Sequence, residues 1–561
     1  MKRLLTAVAL IILVAFGAGR GIASSPARHS TSKPARTSAI VGAPAAPSGY
    51  ALVAWSELGM HCIDGKDYSI FSVLPPYNTI HAQLIKTSEP PALVTSGVAI
   101  TYQSTADTKG SVDSSSAGKT NFWSYVTTLF LANVPPETGL AGNRTQSTTP
   151  QPLTYNPTEG YWEAVGIPTI PYDDKGIFNP YPMAKIVAKD LSGNDLASIS
   201  IVLAVSDEMS CKNCHASGTD VNAMPATGWV NNADPAKDTK LNILKKHDDR
   251  WPISKYLTQL KTNGYTYQSS LYKTASSGTP ILCAACHSDN ALGLAGLTGV
   301  NSLTSDMHTL HGAQILLSTG KTLDQNSVNS DLNSCYLCHP GPVTQCKRGA
   351  MNTQLCSACH SNLTTVGSST RTGWLDVPAC QMCHNNSLRY TSTFTSKGVW
   401  RQTKDLTFAT TPDAPIAGKS LYRYSTGHGA LFCSACHGSP HAEFPTLQAN
   451  DNVYPQALQG YVAKITECTV CHSTVPVSPT GGPHGIHTIG QSWVNQGGHQ
   501  SYVDAYGYQA CAYCHGLKYN GSVLSQTKIQ RVFAVDDGKN KTFPALHQFT
   551  CFDCHNGPNG G

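Results

Sequence analysis

Cys335-Tyr-Leu-Cys-His339, Cys356-Ser-Ala-Cys-His360 and Cys380-Gln-Met-Cys-His384 repeat one five-residue pattern within fifty residues, and the rest of the chain is read outward from them. The pattern, CxxCH, is the attachment signature of a c-type haem. Two cysteines three positions apart can each add to one vinyl group of a porphyrin, and the histidine that follows is placed to ligate the iron. The pattern occurs nine times. Its cysteines, the expected haem-binding residues, are Cys211 and Cys214, Cys283 and Cys286, Cys335 and Cys338, Cys356 and Cys359, Cys380 and Cys383, Cys433 and Cys436, Cys468 and Cys471, Cys511 and Cys514, and Cys551 and Cys554. The expected proximal ligands are His215, His287, His339, His360, His384, His437, His472, His515 and His555.

With 20 Cys and 21 His in 561 residues, random placement would give about 0.03 such pentapeptides, so chance is excluded. Zinc is the first rival, because two CxxC pairs can close a tetrahedral site, but zinc does not require a histidine fixed after every second cysteine. Disulfides and iron–sulfur clusters leave the same nine histidines unexplained.

Residues 1–23 carry Lys2 and Arg3, an apolar run from Leu4 to Phe16, and the small residues Gly21 and Ala23. This reads as a secretory signal peptide. No later segment reaches about 18 consecutive apolar residues, so no transmembrane segment is expected in the mature chain. Residues 24–48, rich in Ser, Pro, Ala and Thr, read as a flexible linker, and His29 within it is set aside as a ligand.

Residues 49–207 contain no motif and are long enough for a domain. Ile199, Ile201, Leu203 and Val205 alternate after the turn-forming stretch Ser192 to Asp195, which predicts a hairpin with Ile186 to Ala188. Pro75-Pro76, Pro135-Pro136 and Pro168 to Pro171 argue against long helices. The expected fold is an N-terminal β-rich, sandwich-like and haem-free domain. Asp190, Asn194 and Asp195 have calcium-ligand chemistry, although turns select the same residues for backbone reasons.

Residues 208–561 are expected to form a nine-haem cytochrome c domain with short helices and much coil. The motif intervals of 72, 52, 21, 24, 53, 35, 43 and 40 residues exclude a regular repeat. At about 39 residues per motif, too few for an independent core, the porphyrins are expected to supply the core, and folding without haem is expected to fail.

Eleven further histidines are distal-ligand candidates: His61, His81, His247, His308, His311, His428, His441, His484, His487, His499 and His547. His428 and His441 bracket one motif and His547 precedes another, which favours ligation. Met307 and Met382 are possible thioether substitutes, more often simple packing residues. Iron closed by two histidines transfers single electrons and offers no substrate position. Cys62 and Cys346 lie outside the motifs, and either a disulfide or two thiols suits them.

The formal charge of +5 falls on loss of Lys2, Arg3 and Arg20, and each haem adds two propionates, so nominal basicity is no argument for nucleic acid.

The runs GMHCIDGKDYSIFSVLPPYNTIHAQLI (59–85), GKTNFWSYV (118–126), GIPTIPYDDKGIFNPYP (166–182) and VSDEMSCKNCH (205–215) resemble the N-terminal module of large secreted multihaem c-type cytochromes of metal-reducing, Geobacter-like bacteria. CSACHGSPHAEFP (433–445), ECTVCHSTVP (467–476) and GGPHGIHTIGQSWV (481–494) resemble the C-terminal haem region of that family. The resemblance implies an outer-surface or extracellular electron carrier, with the periplasm as the alternative. Its partners would be other multihaem cytochromes, outer-membrane conduits and extracellular acceptors such as metal oxides, electrodes or partner cells. Some similar cytochromes assemble into filaments. The competing class is a multihaem reductase of nitrite, hydroxylamine or sulfur compounds with one open haem. The nitrite reductases of that class often use CxxCK, which this sequence lacks.

Overall fold

The hairpin expected around Ser192 to Asp195 is present, and it forms one side of a strand-rich region. The computed structural model describes residues 49–349, 352–371, 426, 428–474, 490–495, 498–511, 515, 518–521, 525–527, 530–535 and 538–558. The expected leader, the linker, the motif at 380–384, Cys514, His484 and His487 lie outside them.

The strands up to Leu282 are, in chain order, β1 (Tyr50–Ser56), β2 (His61–Cys62), β3 (Phe71–Ser72), β4 (Asn78–Lys86), β5 (Ala92–Val94), β6 (Val98–Thr105), β7 (Gln151–Pro152), β8 (Thr154–Asn156), β9 (Tyr161–Ile167), β10 (Met183–Asp190), β11 (Asp195–Val202), β12 (Val205–Ser206) and β13 (Ile281–Leu282). One antiparallel sheet runs β1-β4-β9-β8, with β5 also on β4. A second, also antiparallel, runs β11-β10-β6-β7. Ile186 pairs with Ile199 as the alternation requires. The turn is held by the Asp190 carboxylate, which accepts from the amides of Ser192 and Asn194, while Asp195 pairs with Lys189. The carboxylates thus serve the turn.

Both sheets feed one apolar core. Leu52, Ile80 and Leu84 from the first meet Ile100, Tyr102, Ile186 and Ile201 from the second. β6 alternates, with Ile100, Tyr102 and Ser104 inward, whereas β4 is buried on both faces from Asn78 to Ile85. Its second face is covered by the chain around a CxxCH motif. Gln83 accepts from the Phe432 amide at 3.1 Å and donates to the Ala430 carbonyl at 3.1 Å, and Phe432 stacks on Trp55 at 5.3 Å.

Helix Phe122–Phe130 was not expected from the prolines around it. Phe122, Val126 and Leu129 recur at helical spacing and are buried. They enter a second core with Leu241, Leu244, Leu260, Leu271 and Ile281, so the long interval between Cys211 and Cys283 holds conventional apolar packing. Parallel pairings β2–β12 and β3–β13 tie residues 61–72 to the segments that lead into the motifs at Cys211 and Cys283.

Beyond Ser206 the described chain is helix and coil with a few short strands. Its longest helix, Pro235–Arg250, starts with Pro at the first turn and Asp234 capping the amides of Ala236 and Lys237. No helix among the described residues is long and apolar enough to cross a membrane.

Gly59 marks a close contact between the strand region and the motif region. Its amide donates to the Pro440 carbonyl at 3.1 Å, and a Cβ there would stand 2.2 Å from that oxygen. Gly59→Ala should therefore cost about 1–3 kcal/mol, read as a lower urea midpoint at unchanged slope.

Candidate haem sites

Each CxxCH motif that the described residues cover in full folds as one helical turn. The histidine amide donates to the carbonyl of the first cysteine at 2.8 Å in 211–215, 3.1 Å in 283–287, 2.8 Å in 335–339, 2.9 Å in 356–360, 2.9 Å in 468–472 and 3.3 Å in 551–555. The motif at 433–437 is likewise a short helix. In such a turn positions i, i+3 and i+4 share a face, so two sulfurs and an imidazole point to one side.

Five motif histidines each face a histidine from a distant element. Ring centroids are 6.4 Å apart for His215 and His311, 6.4 Å for His247 and His287, 6.0 Å for His308 and His339, 6.0 Å for His360 and His441, and 5.9 Å for His499 and His555. Two metal–imidazole bonds of about 2.0 Å each, set end to end between two rings, give a centroid separation of roughly 6 Å. A direct N–H···N hydrogen bond of about 3 Å would draw the rings closer. The spacing fits one metal ion between two imidazoles.

Protonation and tautomer fit as well. Burial, reinforced by the facing His311, pulls His215 down to about 4. Burial does the same for His339 and His441, both to about 4, and with His441 nearby it takes His360 to about 3. These rings are neutral donors at neutral pH. Several spend Nδ1 on a carbonyl: His308 on Thr304 at 2.7 Å, His311 on Met307 at 2.7 Å, His499 on Trp493 at 2.9 Å, His287 on Asn301 at 3.0 Å and His515 on Phe549 at 2.8 Å. That bond fixes the ring and leaves Nε2 as the bare ligand atom. The Nδ1 atoms of His215, His247 and His555 are buried without a partner.

Zinc gains no support from the geometry of the described residues. Tetrahedral zinc needs its donors about 2.0–2.3 Å from one centre. Among the described residues, the one trio of donor atoms that converges within 4.8 Å is Asp331, Cys335 and Cys356, which contains no motif histidine. Both sulfurs are first cysteines of CxxCH motifs, and Asp331 is already engaged by the Cys356 amide and by Lys347.

One helix organises four sites. Leu303–Gly312, capped by Ser302 on the Ser305 amide, places His308 toward His339 and His311 toward His215. Its Asp306 lies 3.3 Å from His287 Nδ1, and its Ser305 donates to the Gly367 carbonyl, just beyond the motif at 356–360. The sulfurs of Cys335 and Cys356 are within 4.8 Å of each other. The motifs starting at Cys283, Cys211, Cys335 and Cys356 therefore form one contiguous group. Cys436 and Cys471 lie close enough to interact electrostatically, as do Cys511 and Cys551.

The remaining candidates are placed differently. His61 packs edge-on against Tyr77 at 4.8 Å, and His81 packs between Trp55 and Tyr161. His428 opens the short turn His428–Ala430. His547 Nε2 lies 2.8 Å from an Asp553 carboxylate oxygen, inside the motif that follows it. His441 faces His360 of an earlier motif, although it directly follows the motif at 433–437. His472 Nδ1 is 3.4 Å from both Glu89 carboxylate oxygens. Met307 is exposed on the ligand-bearing helix. Cys62 and Cys346 are thiols; burial raises both, Cys346 to about 11, and Cys346 Sγ lies 3.9 Å from His441 Nδ1.

No family model, curated protein or solved structure matches this chain.

Proposed function

We propose that this chain is a multihaem c-type cytochrome that conducts electrons through nine covalently attached haems, most of them closed by two histidines. The observation that carries the reading is the set of five facing histidine pairs at 5.9–6.4 Å, each with one member from a CxxCH turn. When bound, haem supplies one-electron chemistry at an iron with no open position. The chain's own residues then do the rest. The motif cysteines tether, Thr304, Met307, Trp493 and Asn301 orient the imidazoles through their carbonyls, and burial holds His215, His339, His360 and His441 neutral.

The helix Leu303–Gly312 supports the closeness of four of these sites: the motifs of Cys283, Cys211 and Cys335 each contact it, and that of Cys356 lies beside Cys335. The leader-like residues 1–23 and the family resemblance support export and extracellular electron transfer, with partner cytochromes, outer-membrane conduits and solid acceptors as partners, and with self-association into filaments as a further mode.

The test is a pyridine haemochrome count with EPR of the oxidised protein and carbon monoxide added to the reduced protein. About nine haems, all low-spin and indifferent to carbon monoxide, are expected. The ring planes refine the spectrum. They are near parallel at His308/His339 (20°) and His499/His555 (8°), and far from parallel at His215/His311 (69°), His360/His441 (72°) and His247/His287 (89°). Parallel imidazoles split the iron dπ orbitals and crossed ones do not, so two classes of low-spin signal should appear. A high-spin, carbon-monoxide-binding fraction near one haem in nine would turn the reading to the reductase class.

A further inference from the structure

Asp64 is an unusual carboxylate for this fold. It is 6% exposed and lies between β2 and β3. Its Oδ2 accepts from Ser72 Oγ at 2.7 Å, the Val73 amide at 2.8 Å and the Leu74 amide at 3.0 Å, whereas its Oδ1 is buried with no partner. A buried carboxylate oxygen without a donor disfavours the ionised form. Lys240 does not relieve it directly, because its Nζ bonds to the carbonyls of Asp64, Asp67 and Phe71.

The position links it to two motifs. Ser72, its hydroxyl donor, is in register with Leu282, the residue before Cys283. Cys62, two residues earlier, is in register with Ser206 on the segment that runs into Cys211. Lys240 is two turns from His247 on the helix whose histidine faces His287. We propose that Asp64 is a proton site coupled to the electron occupancy of the two haem sites at Cys211 and Cys283, an inference that rests on the haem-binding reading above. When an external one-electron donor reduces these sites, the carboxylate takes one proton from water in all, shared between the two electrons, and becomes a carboxylic acid. On oxidation it returns the proton. No bond to the metal changes.

The charged and titratable groups around it are Lys240 from the long helix, Tyr68 from the loop before β3, and Cys62 from β2. Tyr68 and Cys62 are raised by burial and stay neutral through the working range; Cys211 and Cys283 do not titrate once they are thioethers. Burial outweighs Lys240 and the three donors and sets the Asp64 carboxyl up to about 6. The sign follows. Below that pH the acid is neutral and reduction is easier; as pH rises through it the carboxylate ionises, and the midpoint potential of the two sites should fall.

The experiment is optical redox titration of the holoprotein at several pH values on both sides of about 6, with haem counted in each sample. In the wild type, the component that reports two of nine haems should have a midpoint that falls with rising pH. In Asp64→Asn that dependence should vanish and the midpoint should stay at its low-pH value. Redox-difference infrared spectroscopy should show a protonated carboxyl band on reduction that is lost in the variant. An unchanged pH dependence in Asp64→Asn, as propionates would give, overturns the proposal, as does absence of the band in the wild type. If the variant does not mature, Ser72→Ala removes one donor to the ionised form and should move the inflection to higher pH; no movement overturns the proposal. A low haem count in the wild type would instead sink the haem reading itself.

Discussion

Alanine at His308 should open one haem iron in nine, and alanine at His311 should open a different one. In the reduced protein each variant is expected to bind carbon monoxide at about one-ninth of its haem, with a matching high-spin ferric signal, and the double variant at about two-ninths. The reason is geometric. The two side chains sit one turn apart on Leu303–Gly312, yet they face His339 and His215, which belong to separate motifs. Alanine favours a helix, and the Ser302 cap is untouched, so the helix should persist. His547→Ala is the control. Its Nε2 is taken by Asp553 at 2.8 Å, so this variant should stay low-spin and closed to carbon monoxide. If His308→Ala and His311→Ala remain closed, the two rings are not ligands and the pairing is wrong.

The same helix explains what could be read from the sequence. The motifs were legible because they repeat one fixed local spacing, the spacing that covalent attachment and proximal ligation of a haem would demand. The Ile186–Ile199 pairing was legible because period-two alternation and turn residues are local signals too. Distal partners were not. His311 serves a motif 96 residues earlier and His308 one 31 residues later, and no periodicity records such contacts. Closeness along the chain did not say which group each would meet: His441 lies beside the motif at 433–437 and faces His360 of another, and His547 lies 2.8 Å from Asp553 of the motif that follows it. The helix Phe122–Phe130 had a signal, apolar Phe122, Val126 and Leu129 at i, i+4 and i+7, which the surrounding prolines obscured.

Loss of Arg348 should produce the largest stability change of any single side chain considered. Its side chain is 1% exposed. Nε and Nη2 grip Asp451 at 2.6 and 3.0 Å, Nη1 donates to the Gly59 carbonyl at 2.5 Å, and the guanidinium lies 5.0 Å from the Tyr181 ring centroid. Removing one partner of a buried pair leaves the other charge uncompensated, so Arg348→Ala should cost about 3–5 kcal/mol, seen as a lower denaturant midpoint. Replacing both partners by apolar residues, Arg348→Met with Asp451→Leu, should recover much of that loss, because the unpaired charge is gone. The effect reaches the His360–His441 pair through the backbone. The amides of Arg348 and Gly349 both donate to the His441 carbonyl, at 2.9 and 2.8 Å, and His441 has a left-handed φ of 67°. That strained conformation persists because its neighbours hold it. Arg348→Ala should therefore also loosen His441 from His360 and add up to about one-ninth carbon-monoxide-binding haem, and the double replacement should restore stability more fully than it restores that closure. Equal recovery of both would mean that the guanidinium has no part in placing His441.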